Sequence, residues 1–198
     1  FDMSIEVTSP VFSRVRRIPK LYSCPGQTPK AGTNYEPELT RKASYENISP
    51  PLEWTGVPEG TVSIALVMDS DQPMGLPEGQ TWAHWVIWDI PADATGLPED
   101  VATTTAEVLA IGPTTRQGTN DDKTVGYSGP CPATVKIPYG PGFKPKVVFD
   151  YFFHVYALDT ELDLGPETTR FDLLKAIDGH ILAGGEIKGE FVAQRKLK

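Results

Sequence analysis

Histidine, cysteine and net positive charge are scarce in this chain, and long apolar runs are missing. Its 198 residues hold three His and two Cys. Neither Cys24 nor Cys131 lies in a C-x-x-C or in zinc-finger spacing, and no H-E-x-x-H occurs, so no familiar metal motif is present and no metal is expected. Lys and Arg number 18 against 26 Asp and Glu, a formal net charge of -8. Charge of that sign repels phosphate backbones and anionic lipid, so nucleic-acid binding and electrostatic membrane docking are not expected. No apolar run approaches the roughly 20 residues of a membrane span, and no signal-peptide pattern is visible. The chain begins Phe1-Asp2-Met3, which fits either a removed leader or a trimmed start, so an exported or periplasmic location and a cytoplasmic one both stay open. The two cysteines can pair, as in an oxidising compartment, or remain two buried thiols.

Nucleotide and acyl-transfer signatures are missing as well. There is no P-loop and no G-x-G-x-x-G opening a helix, so no cofactor is expected. The segment Gly126-Tyr127-Ser128-Gly129 lacks both the G-x-S-x-G pattern and the strand–turn–helix setting of a nucleophile elbow. No catalytic residue is assigned. Three basic residues near the C-terminus (Arg195, Lys196, Lys198) and four near the start (Arg14, Arg16, Arg17, Lys20) read as a solvated rim.

What the chain has in quantity is turn-formers, with 18 Gly and 19 Pro. Many turns and short strands follow from that, and one large β domain over 1–198 is the expected organisation. Ser4 to Thr8 suits a first strand. Ser63 to Met68 is a short apolar run with β-forming residues, ending in the acidic turn Asp69-Ser70-Asp71-Gln72-Pro73. His84 to Ile90 suits a strand, with His84, Val86, Trp88 and Ile90 on one face and Trp85, Ile87 and Asp89 on the other. Val147 to Leu158 is the clearest strand, apolar on both faces as if covered on both sides. Phe171 to Ile177 has amphipathic spacing and stops at Gly179. Glu190 to Gln194 suits a last strand. Few helices and many strands imply a sandwich or Greek-key architecture.

Asp69, Asp71 and His84 are the first candidates for chemistry. If their strands are neighbours, Asp69 can accept from one imidazole nitrogen and leave the other facing a cavity, able to donate to a phosphate or carboxylate. Tyr127-Ser128-Gly129-Pro130-Cys131-Pro132 is a proline-framed loop. Its backbone amides, at Gly129 and Cys131, could hold an anion. Trp54, Trp82, Trp85 and Trp88 suit core or pocket wall.

Taken in order, several segments carry a family pattern. They are Asn47 to Trp54; Asp69-Ser70-Asp71-Gln72-Pro73 followed by Trp82-Ala83-His84-Trp85; Gly118-Thr119-Asn120-Asp121 with Gly126 to Pro132; Tyr151 to Leu158; and Gly179 to Ala183. The ordered set resembles the phosphatidylethanolamine-binding protein family, in its bacterial and archaeal Raf-kinase-inhibitor-like branch, from about Phe12 to Phe191. The resemblance implies a mostly-β fold: a large antiparallel Greek-key sheet packed with a smaller sheet, and short helices near the C-terminus. It also implies a small pocket for phosphate or a phosphoryl head group. Carried onto this chain, the ligand-binding set is Asp69, Asp71, Pro73, Trp82, His84, Gly129, Pro130, Cys131, Pro132 and Tyr151.

Three departures stand out. Ser70 takes the place of a family Pro, Phe149 that of a second pocket His, and Asp150 that of an Arg. They imply weaker phosphate binding or a different ligand. Two insertions, about 25–45 and 133–146, would add new surface, the second beside the pocket wall. The family includes inhibitors of a kinase and of a serine carboxypeptidase, so a docking role toward a protein partner is the second reading. A weak hydrolase or lyase using His84 as general base is the third.

Overall fold

The computed structural model describes residues 2–12, 17–24, 46–71, 80–101, 105–131 and 148–192. The two expected insertions, and with them Pro73 and Pro132, lie outside the described residues. In chain order the strands are β1 (Glu6–Thr8), β2 (Leu52–Thr55), β3 (Ser63–Ser70), β4 (Trp82–Pro91), β5 (Gly96–Leu97), β6 (Arg116–Gln117), β7 (Val148–Leu158) and β8 (Ile181–Val192), with helix α1 (Arg170–Ile177) between the last two. A five-stranded sheet has the order β6-β4-β3-β7-β8, and a three-stranded one has β1-β2-β5. Every pairing between these strands is antiparallel. This is the expected mostly-β class with a large and a small sheet. Among the described residues no helix is long and apolar enough to cross a membrane.

The large sheet buries both faces, but unequally. Its inner face gives Leu66 and Met68 of β3, Trp85 and Ile87 of β4, and Tyr151 and Phe153 of β7 to one cluster with Leu52, Trp54 and Leu97 of the small sheet. Its outer face sends Val67, Val86 and Trp88 against Leu173 and Ile177 of α1. Apolar area removed from water at about 25 cal/mol per Å² makes these two layers the main stabilising term. Helix α1 covers only part of the outer face. Asp150, Phe152, His154 and Tyr156 of β7 are therefore half-buried, where the apolar pattern had suggested full cover. Their rings instead form a ladder, with Phe152–His154 and His154–Tyr156 centroids 6.1 and 6.4 Å apart and nearly parallel. A capping box at Thr169 and Asp172 opens the helix.

Two expectations about strands change. The last strand starts at Ile181, nine residues ahead of the expected Glu190, because Gly184, Gly185 and Gly189 look like turn residues. Here Gly185 and Gly189 serve close approach. A Cβ on Gly185 would stand 2.1 Å from the Ile5 carbonyl oxygen, and the N-terminal segment bonds along β8 through Ile5 N to Gly184 O at 3.0 Å. In β4 the simple alternation fails. Pairing with β3 shifts between Ile64 and Leu66 and again between Met68 and Asp69. Each shift puts one extra residue in β4, which is a β-bulge. Only Val86 and Trp88 keep the predicted outer face, while Ile90 joins Trp85 and Ile87 inside.

Candidate functional site

The second bulge is where the expected site residues gather. His84 is the extra residue, and loop 118–128 satisfies the backbone it displaces. Asp121 N donates to Ala83 O at 2.9 Å and Ser128 N to His84 O at 2.8 Å, while Ala83 N donates to the Asp121 carboxylate at 2.7 Å. The ring turns toward the inner core, 5.1 Å from Tyr151 and edge-on. Its Nε2 lies 2.9 Å from Ser70 Oγ and its Nδ1 2.8 Å from the Ser128 carbonyl. The ring is 2 % exposed. Burial pushes the His84 pKa down, and this outweighs the opposing pull of the Ser128 bond and of Asp122, Asp69 and Asp121.

Asp69 does not bond to His84. Ser70 pairs with Tyr151 and Asp69 with Phe152, so by strand alternation the two side chains take opposite faces. Asp69 lies on the outer face. It accepts from Thr81 Oγ1 at 2.9 Å, His154 Nε2 at 3.1 Å and Arg170 at 3.0 Å. His154 in turn stands 3.1 Å from Glu186 through Nδ1. Burial alone would raise the Asp69 pKa, but His154, Thr81 and the Arg170 charge hold it below the ordinary carboxylate value. His154 lies two residues along β7 from Phe152 and so shares the outer face with Asp69. Arg170 arrives from α1, 101 residues along the chain, and nothing local announces it.

The loop at Ser128 to Cys131 forms a wall anchored on three sides. Gly129 N donates to Asn47 Oδ1 at 2.7 Å, so this amide, expected as an anion donor, already has an acceptor. Tyr127 Oη donates to the Tyr22 carbonyl at 2.7 Å. Gly129 passes so near that oxygen that a Cβ would stand 1.9 Å away, which only glycine permits. A disulfide joins Cys24 to Cys131, Cα atoms 5.3 Å apart; the cysteines pair, and neither is the inert thiol that was the alternative. Gly129, Pro130 and Tyr151 are buried, Trp82 half-buried, and Asp71 and Cys131 exposed. Phe149 packs in the inner core.

A cleft of about 320 Å³ lies elsewhere, at the first bulge, lined by Asp89, Thr114, Arg116, Glu161 and Leu162 among others. Asp89 has φ 51°, its carboxylate accepts from Leu162 N at 2.9 Å, and burial lifts its pKa to about 6. Among the described residues no three His, Cys, Asp or Glu side chains converge as metal ligands.

Comparison with known proteins gives one consistent answer. A family model described as phosphatidylethanolamine-binding protein matches residues 8–192. A UPF0098 protein of Methanothermobacter thermautotrophicus is 41% identical over 174 residues, covering 87% of this chain and 89% of its own length. One from Aquifex aeolicus is 38% identical over 187 residues, covering 93% of this chain and 86% of its own. Among solved structures, a phosphatidylethanolamine-binding protein homologue from Chlamydia trachomatis superposes with TM-score 0.67 at 30% identity, over 96% of this chain and 97% of that one. E. coli YbcL, described as a member of the mammalian family, gives 0.69 at 26%, over 98% and 99%. The chain belongs to the phosphatidylethanolamine-binding protein family.

Proposed function

We propose that this chain binds a small anion, phosphate or a phosphoryl head group, at the end of the large sheet where His84 meets the Ser128 to Cys131 wall. The observation that carries the reading is His84 itself. It is a titratable ring buried in a bulge, held by Ser70 and Ser128, beside Tyr151 and a strapped, proline-framed loop. Buried, perturbed titratable groups mark binding sites more often than chance. The family description, which names a lipid with a phosphoryl head group, supports a ligand of this class. Asp69 then contributes from the other side of β3, through its field on the ring and not through a bond.

A role for His84 as general base is not favoured, because a base becomes an imidazolium when it takes a proton, and burial disfavours that charged form here. The test is a titration of the full chain with inorganic phosphate and with phosphoethanolamine, following the His84 ring resonances. A saturable shift that is lost in His84→Ala supports the reading. Phosphate-ester affinity unchanged in His84→Ala refutes the assignment.

A further inference from the structure

The hydrogen bonds of His84 fix more than its orientation. A carbonyl oxygen only accepts, so the contact from Nδ1 to Ser128 O at 2.8 Å requires the proton on Nδ1. In the neutral ring Nε2 is then a bare lone pair, and the Ser70 hydroxyl at 2.9 Å is its donor. The groups around the ring oppose a bare anion too. Asp69 from β3 and Asp121 and Asp122 from the loop are carboxylates acting on it, and Tyr151 from β7 and Ser70 from β3 complete the setting. An oxyanion arriving at Nε2 in place of the Ser70 hydroxyl would meet lone pair with lone pair.

We propose that the His84 end of the site takes an oxyanion only together with one proton, and so selects protonatable phosphoryl groups over sulfate. The inference rests on the anion-binding reading and adds its chemistry. Ser70 is the placeholder: its O–H occupies the donor position that a P–OH group fills in the complex. The bound state holds one proton between Nε2 and a ligand oxygen. When the ligand arrives as a phosphate dianion, that proton comes from solvent. A monoester, with its second pKa about 6, can supply it near neutral pH. Sulfate stays unprotonated across that range, so its proton would have to rest on Nε2 alone, as the imidazolium that burial of the ring disfavours.

The experiment is calorimetric titration of the full chain with inorganic phosphate at pH 8, in two buffers of different ionisation enthalpy, with sulfate run alongside. The expected result is uptake of about one proton per phosphate, and sulfate binding at least about tenfold weaker, the equivalent of one pK unit. Phosphate bound with no proton exchange, or sulfate bound equally well, overturns the inference and leaves anion binding intact. No binding of either anion at pH 6 or pH 8 overturns both. Ser70→Ala keeps His84 and therefore keeps the proton count. A Ser70→Ala protein that binds phosphate without taking up a proton also overturns it.

Discussion

At one end of the β3–β4 pair a bulge turns His84 inward onto Ser70 and Ser128; at the other end a bulge turns Asp89 toward a cleft, where Leu162 N bonds its carboxylate. Burial drives both groups toward their neutral forms. For the base this is no cost near pH 7, since neutral imidazole satisfies both of its partners. For the acid the same push lifts the pKa only to about 6, so at pH 7 the carboxylate is charged in a place that resists charge. Two bulges of one kind thus give one settled group and one uneasy group. The difference lies in how many hydrogen bonds the neutral form completes.

The sharpest way to break the comparison is to cut the strap that only the His84 end possesses. Replacing Cys24 and Cys131 together by Ser should cost about 2–5 kcal/mol, because the crosslink closes a long loop in the unfolded chain. Urea unfolding would measure it. The His84 ring resonances should move, while the Leu162 amide should keep its shift. Next comes His84→Leu, which removes the donor to Ser128 O and the acceptor for Ser70. The Ser128 carbonyl left without its donor costs about 1–3 kcal/mol, read again from the urea midpoint. Asp89→Asn should act in the opposite direction. Asn tolerates φ near 51° and keeps an acceptor for Leu162 N. It should stabilise by roughly 1–2 kcal/mol at pH 7, below the full value of the pKa shift because the cleft admits solvent, and by nothing measurable at pH 4.

The smallest effect is a slope. The depressed pKa of His84 makes its contribution complete above its unfolded value of about 6.5 and lost as pH falls below it. The raised pKa of Asp89 makes its contribution complete below about 3.9 and lost as pH rises toward 6. Below about pH 6 the two slopes oppose each other. In Asp89→Asn the melting temperature should therefore rise more steeply with pH across that window than in the unaltered chain. An equal or shallower slope would show that the two bulges do not differ in the way described.

Much of this was legible beforehand, and the rest was hidden for specific reasons. Strands β3 and β7 and helix α1 announce themselves because each has a single dominant period. The ordered family segments located the His84 loop region without any geometry. Bulges break that logic: one extra residue in β4 moves every later side chain to the other face, and no residue type in Trp85 to Ile90 signals it. Strand β8 is longer than its sequence suggests because glycine serves close packing, as Gly185 does against Ile5 and Gly189 against Ile18, as readily as turns. The partners of Asp69 were hidden by distance, with His154 and Arg170 lying 85 and 101 residues away. Ser70 was noted as a departure from the family pattern, but its bond to His84 needed the register.

The Cys24–Cys131 disulfide also divides the chain in a way the sheet order does not. It closes a covalent ring that contains β2 to β6, while β7, α1 and β8 lie outside it. Yet β3, inside the ring, is hydrogen-bonded to β7, outside it. A protease that nicks the backbone once between 25 and 130 therefore leaves one molecule. It would run as a single species without reductant and as two fragments with it.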